Sequence, residues 1–203
     1  VFFGLAIAFS FCQYPDRKAN PIPDRIRIGI DISQTAYQGT GVANYVQNLV
    51  QNLLKVDRRN EYVLFFSNMR KKCQMSNVKC QNQNVKVKTF KFPPLFLDFL
   101  WNRLHLLPIE WLIGPVDVFL TSDWTEPPTK KAKKATILYD LIVYKHPQET
   151  AQKIVAVQKR KLKWVKKESS AIICISEATK QDAMKILGID KKRLTVAYPG
   201  GAC

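Results

Sequence analysis

Acidic side chains are scarce in this sequence: 16 aspartates and glutamates stand against 32 lysines and arginines, a net charge of +16 over 203 residues. Histidine is scarcer still, with two, and the five cysteines form no Cys-x-x-Cys pair. That combination excludes an obvious zinc cluster. Cys73 and Cys80 share a polar loop, "KKCQMSNVKCQNQN", with no histidine near them, and Cys174 in "AIICIS" reads as a core residue. An odd cysteine count without paired spacing favours reduced thiols and a cytoplasmic protein. No Asp-x-Asp pair occurs, which counts against a metal-dependent nucleotide-sugar site built on that motif. No Gly-x-Ser-x-Gly elbow supplies an esterase nucleophile, and no internal repeat is visible. Long apolar runs are missing as well. The longest candidate, "VFFGLAIAFSFC" at the N-terminus, falls short of the roughly 20 residues a membrane span needs.

That apolar start lacks a basic n-region and a clear small-residue cleavage site. Residues 1–24 are expected to be a disordered or non-native leader, with an interfacial anchor or a truncated signal as alternatives. The stretch from Pro15 to Pro23 reads as linker. At the other end, "YPGGAC" follows an apolar run and a turn, an ending that suggests a chain which continues.

What is present in excess is positive charge, in clusters: "RKK" at 70–72, "KKAKK" at 130–134, "KRKLKWVKK" at 159–167 and "KKR" at 191–193. Each cluster alone reads as a solvated face. Together they would attract polyanions such as anionic lipid, nucleic acid or phosphorylated substrates. Nucleic acid rests on charge alone, since no zinc-finger, helix-turn-helix or RNP-like motif accompanies it.

Periodicity alternates between strand and helix. "RIRIGIDI" (25–32), "EYVLFFS" (61–67), "VDVFLTS", "ATILYDL", "SAIICIS" and "RLTVAYP" are buried strands. "VKVKTFKF" (85–92) alternates strictly and predicts a half-buried or edge strand. Val42, Val46, Leu49, Val50, Leu53 and Leu54 form a helical stripe. "LDFLWNRLHLLPIEWLIG" is helical but should kink or split at Pro108. A basic helix runs from about Glu149 to Glu168, and "SEATKQDAMKILG" is a helix with Ser176 as N-cap and Gly188 as stop. This order predicts an α/β fold, a Rossmann-like parallel sheet with helices on both faces, over residues 25–200.

In such folds ligands bind beyond the carboxyl ends of the strands. The segments to read are therefore Asp31 to Gly41, Thr121 to Glu126, Tyr139 to His146, and Ser176-Glu177. Gly39-Thr40-Gly41 opens the first helix, where glycine permits close backbone approach and free N–H groups suit an anion. It completes neither a dinucleotide fingerprint, since Asn44 stands where the third glycine belongs, nor a Walker loop. A glycine serving only the turn remains the alternative. His105 sits in an apolar segment and reads as structural, and His146, before Pro147, reads as packing or capping.

Four pieces in order, "IRIGIDIS…GTGVANYVQNLVQNLL", "VDVFLTSDWTEPP", "ATILYDLIVYKHPQE" and "AIICISEATKQDAMKILGIDKKRLTVAYPG", closely resemble the N-terminal half of family 4 retaining glycosyltransferases. These mannosyltransferase-like enzymes have the two facing Rossmann-like domains of the GT-B architecture. The resemblance runs from about Arg25 to Gly200. It implies an acceptor-side domain of an enzyme that transfers a hexose from a nucleotide-sugar to a saccharide or lipid-linked acceptor, with retention and without an essential metal. The donor is a co-substrate held mainly by a second domain, through a basic residue and a Glu-x7-Glu segment that have no counterpart here, so this chain alone is expected to be inactive. Gly39, Thr40 and Gly41 would lie near the donor diphosphate and the acceptor. The family motif at the fifth strand is often His-Asp; Tyr139-Asp140 stands here instead, which makes Asp140 the firmer catalytic candidate and Tyr139 the weaker. Ser176 and Glu177 match the helix start facing the interdomain cleft, and His146 is a further substrate-binding candidate.

Many relatives act on lipid-linked acceptors, so the resemblance also implies a peripheral position at the inner face of the cell membrane. There the basic helix and the aromatic segment containing Phe90, Phe92, Phe96, Phe99, Trp101 and Trp111 would meet anionic lipid, unless those residues are core and domain interface. A non-catalytic basic domain that binds anionic lipid, nucleic acid or a partner chain is the competing reading.

Overall fold

The computed structural model describes residues 25–73, 75 and 84–199; the apolar leader, Cys12, Cys80 and Cys203 lie outside the described residues. Seven strands form one sheet: β1 (Arg27–Asp31), β2 (Glu61–Ser67), β3 (Val85–Phe90), β4 (Val118–Thr121), β5 (Lys133–Leu138), β6 (Ser169–Cys174) and β7 (Leu194–Val196). Every pairing is parallel, in the order β3-β2-β1-β4-β5-β6-β7. The chain therefore builds outward from β1 in one direction, then returns to β1 and builds in the other. The switch point lies between β1 and β4. At the sheet's rim, β3 alternates buried Val85 with exposed Lys86 and Lys88, the edge pattern its sequence predicts.

Helices cover both faces. On one, α1 (Gly41–Val56) turns Val46, Leu49, Val50, Leu53 and Leu54 onto Ile28, Ile30, Leu64 and Leu120. On the other, α2 (Pro94–Leu97) runs into a π-helical turn (Asp98–Arg103), and with α3 (Glu110–Ile113) buries Leu97, Trp101 and Ile113 against Phe65 and Phe119. Next to them α4 (Ile142–Lys145), α5 (Gln152–Glu168) and α6 (Glu177–Leu187) close over Leu138, Ile172 and Cys174. Burial pushes the Cys174 thiol up to about 12, as befits an unreactive core residue. Gly29 has no room for a side chain: a Cβ there would lie 2.7 Å from Phe119.

Pro108 splits its segment outright. Before it the backbone turns left-handed at His105 (φ 54°) and Leu107 (φ 64°), a conformation that non-glycine residues adopt at a cost. Trp101 holds the turn, its indole N–H donating to Leu107 O at 3.0 Å. The basic helix starts later than its sequence suggests, because Pro147–Glu149 forms a separate 3-10 turn and α5 begins at Gln152. Its lysines do not all face water. Lys161 is buried at 2% exposure, and Arg160 bonds Asp98 Oδ2 at 2.6 Å.

Candidate active site

The site begins where β1 ends. Asp31, its last residue, is buried and accepts the Ser33 N–H at 2.9 Å. A 3-10 turn (Ser33–Ala36) then tucks Gln34 and Thr35 under the sheet edge. The chain surfaces at Tyr37, turns left-handed at Gly39 (φ 80°), and enters α1 through Thr40, whose hydroxyl accepts the Ala43 N–H at 3.2 Å. Thr40 is thus an N-cap that leaves the N–H groups of Gly41 and Val42 without acceptors inside the helix. A Cβ on Gly41 would meet nothing within 4 Å, so packing in the free chain does not require glycine there.

Across the switch point β4 delivers Ser122, Asp123, Trp124 and Thr125. Asp123 accepts from the Gln158 amide at 3.0 Å. Lys161 reaches up from α5 to donate to Ser122 O, placing a buried ammonium beneath the edge. Burial pushes the Asp31 and Asp123 carboxyls above the ordinary range; Lys161 pulls both back, while Asp140 pushes Asp123 further up. Burial likewise lowers Lys161, which Glu126, Asp123 and Asp31 oppose.

The two loops enclose a cleft of about 570 Å³ lined by Asp31, Ser33, Gln34, Thr40, Asp123 and Trp124, with apolar walls from α2 and α5. A larger depression of about 750 Å³ opens at the opposite edge of the sheet. Its acids are committed to structure. Glu61 pairs with Arg25 and Arg27, Asp117 accepts the Arg27 N–H at 2.7 Å, and Glu110 takes three N–H groups from Lys130, Lys131 and Ala132. The carboxyl-end cleft, with its less satisfied carboxyls at the switch point, is where chemistry can be placed.

The residues singled out from sequence all lie along this edge, yet they divide. Thr40 lines the cleft, with Gly39 and Gly41 exposed beside it. Tyr139 is an anchor: its ring meets Tyr45 edge-on at 5.6 Å, its hydroxyl bonds Ser122 Oγ at 2.8 Å, and burial holds the phenol neutral. Asp140 is exposed next to it and accepts the Ile142 N–H at 3.0 Å, starting α4. Ser176 caps α6 through the Thr179 N–H at 3.1 Å, and Thr179 in turn donates to Tyr139 O at 2.9 Å. Glu177 is exposed, 3.8 Å from Lys180. His146 ends α4, half exposed and 3.3 Å from Glu149; like Tyr139, Asp140, Ser176 and Glu177, it is not among the residues lining the cleft. Among the described residues no group of three histidines, cysteines or acids could hold a metal ion.

A model of Glycosyltransferase Family 4 matches residues 39–200. The chain belongs to this family. No curated protein matches it. The all-parallel sheet is the Rossmann-like α/β fold of one half of a GT-B enzyme. Within the family 4 match fall Asp123, Asp140, Lys161 and Ser176; Asp31 and Gln34 precede it. Sequence reading flagged the segments that hold Asp31, Gln34 and Asp123 without singling out those residues, and it missed Lys161. For the first three, position just after a strand was the available signal. Lys161 offered none, since it stands in a run of lysines that otherwise face water.

Proposed function

We propose that this glycosyltransferase domain forms the acceptor side of a hexosyltransferase. It takes a hexose from a nucleotide-sugar to a hydroxyl of a saccharide or lipid-linked acceptor, with retention and without an essential metal. The observation that carries the reading is the cleft at the switch point, where the glycine loop that opens α1 faces the carboxyl-bearing loop after β4. The Gly41 and Val42 N–H groups suit the donor diphosphate. Asp140, exposed at the same carboxyl edge though outside the cleft lining, would act on the reacting sugar or order its loop. A departing diphosphate needs preorganised donors on both sides. We therefore expect the donor to be held mainly by a second domain, and this chain alone to show no turnover. Incubating the full-length gene product with UDP-glucose or GDP-mannose and a panel of glycosides tests the reading. Hexose transfer supports it, and a protein that only hydrolyses or ignores every donor sinks it.

A specific observation favours a peripheral membrane position for the same enzyme. Leu95, Phe96, Phe99, Leu104, Leu106 and Trp111 are all exposed along one segment, while the basic helix α5 packs beside it. No helix among the described residues is long and apolar enough to cross a membrane. Insertion of the part of this segment at the cleft rim, Leu95 with Phe96 and Phe99, into the headgroup layer, aided by α5 lysines, would bring the cleft to lipid-borne acceptors. Co-sedimentation with phosphatidylglycerol vesicles, but not with phosphatidylcholine, is the expected result. Equal sedimentation with both, or none, contradicts it.

A further inference from the structure

Packing leaves one group at the cleft floor without a purpose. Gln34 is 3% exposed, yet its Oε1 has no hydrogen-bond partner among the described residues. Native interiors seldom leave such an oxygen unpaired unless something else meets it. Gln34 lines the cleft together with Asp31, whose buried carboxyl is also an acceptor. The floor therefore asks for hydroxyl donors. The walls ask for something different. Val42, Leu95, Leu97, Ile154 and Val157 are aliphatic and offer a sugar nothing to bond, and among the other lining side chains Thr40, Ser67 and Lys153 are polar. Leu95 is 79% exposed at the rim, and Phe96 and Phe99 continue the apolar surface outward from it.

A free saccharide would press its hydroxyls against those walls and lose their hydration without replacement. A wholly apolar ligand would leave Gln34 unpaired. We propose that the cleft selects an amphiphilic acceptor, a hydroxylated head group seated on Gln34 and Asp31 with an aliphatic chain lying along the walls and leaving over Leu95. This rests on the transferase reading and narrows its acceptor to the lipid-linked class.

Calorimetric titration of this chain with octyl β-glucopyranoside, kept below its micelle concentration, against methyl β-glucopyranoside separates head from chain. Each buried methylene is worth about fourfold in affinity, so burying half of the seven extra carbons predicts on the order of a 100-fold preference for the octyl compound. Saturation at one site with a negative heat-capacity change is expected. Ile154→Glu, at a partly exposed helix position that folding tolerates, should weaken octyl glucoside at least tenfold with an unchanged melting curve. Gln34→Met should weaken it several-fold. Equal affinity for the two glucosides, or octyl binding that never saturates and ignores Ile154→Glu, overturns the proposal. The titration needs no donor sugar. Binding without any hexose transfer by the full-length gene product would sink the transferase reading and leave the amphiphile site standing, and transfer with no gain from the alkyl chain would do the reverse.

Discussion

The Asp140 carboxylate accepts the Ile142 N–H at 3.0 Å, and its charge also pushes the neighbouring Asp123 carboxyl up. Substitution can separate these roles. Asp140→Asn keeps an acceptor for the Ile142 N–H and should leave stability unchanged while turnover of the full-length gene product falls by at least 100-fold. Asp140→Ala should lose turnover equally and melt slightly lower, because the Ile142 N–H then loses its side-chain acceptor. If Asp140→Asn turns over at the wild-type rate, the carboxylate is a turn residue and nothing more. Gly41 offers a complementary test. A Cβ there meets no atom within 4 Å, and alanine suits a helix start at least as well as glycine. Gly41→Ala should therefore melt no lower than wild type yet raise the KM for the nucleotide-sugar, if the diphosphate passes close to this backbone. An unchanged KM would remove the glycine loop from the donor site. Tyr139 shows how a residue can hold a motif position without its chemistry. The ring is half-buried against Tyr45 and the core beneath α1, and its hydroxyl is spent on Ser122, so it fixes the strand end on which Asp140 stands.

Among the elements, α5 does the most to hold the site's floor. Lys161 and Gln158 face the cleft loops. On the helix's other contacts Arg160 bonds Asp98, the Trp164 indole donates to Asn102 O at 2.8 Å, and His105 stacks on Trp164 with ring centres 3.5 Å apart. At the helix end Glu168 receives Lys134 at 2.6 Å and His105 at 3.0 Å. Burial alone would raise the Glu168 carboxyl; the Lys134 and His105 partners outweigh it and hold it below the ordinary range. A carboxyl depressed on folding contributes stability above its unfolded pKa and loses it as pH falls through the folded one. Urea midpoints should thus decline as pH drops below about 4.5, and Glu168→Gln should flatten that decline while lowering the midpoint at neutral pH. An unaltered acid slope in Glu168→Gln would show that the pair contributes nothing. On the opposite face Leu54 is 3% exposed inside the α1 stripe, and Leu54→Ala should cost about 2–5 kcal/mol in a denaturant titration.

The long helices and several of their ends were legible in the chain because short-range signals fix them, whereas the short α4 and the late start of α5 were not. Thr40, Ser176 and Gly188 sit at the caps that their residue types favour, and Pro108 breaks its helix. The π-helical turn at Asp98–Arg103 was not legible, nor was the left-handed pair His105 and Leu107. Both depend on tertiary bonds, such as Trp101 to Leu107 O, that leave no periodic trace.

Across the whole molecule, the parallel sheet follows from strand–helix alternation and right-handed crossovers, and its β1–β4 switch point puts the cleft where an α/β protein keeps ligands. That much could be argued from residue order. Which polar residues would be buried could not. Lys134 and Lys161 read as solvated charge and Glu126 as part of a segment at a strand end, yet all three are at most 2% exposed. Glu126 accepts from Thr121 at 2.6 Å and Ser169 at 3.2 Å, and Lys134 lies 3.6 Å from it, so the pairing partners come from β4, β5 and β6 together. Such a network is visible only once residues 43 positions apart in sequence, such as Glu126 and Ser169, are neighbours. The net charge of +16 makes association with anionic partners steeply salt-dependent.

The central claim is that the switch-point cleft belongs to a retaining hexosyltransferase. Proton NMR of the product formed by the full-length gene product from an α-linked nucleotide-hexose and octyl glucoside tests it most directly. The account predicts a new α-glycosidic anomeric signal that disappears in Asp140→Asn. A β-linked product, or transfer that survives Asp140→Asn undiminished, would contradict it.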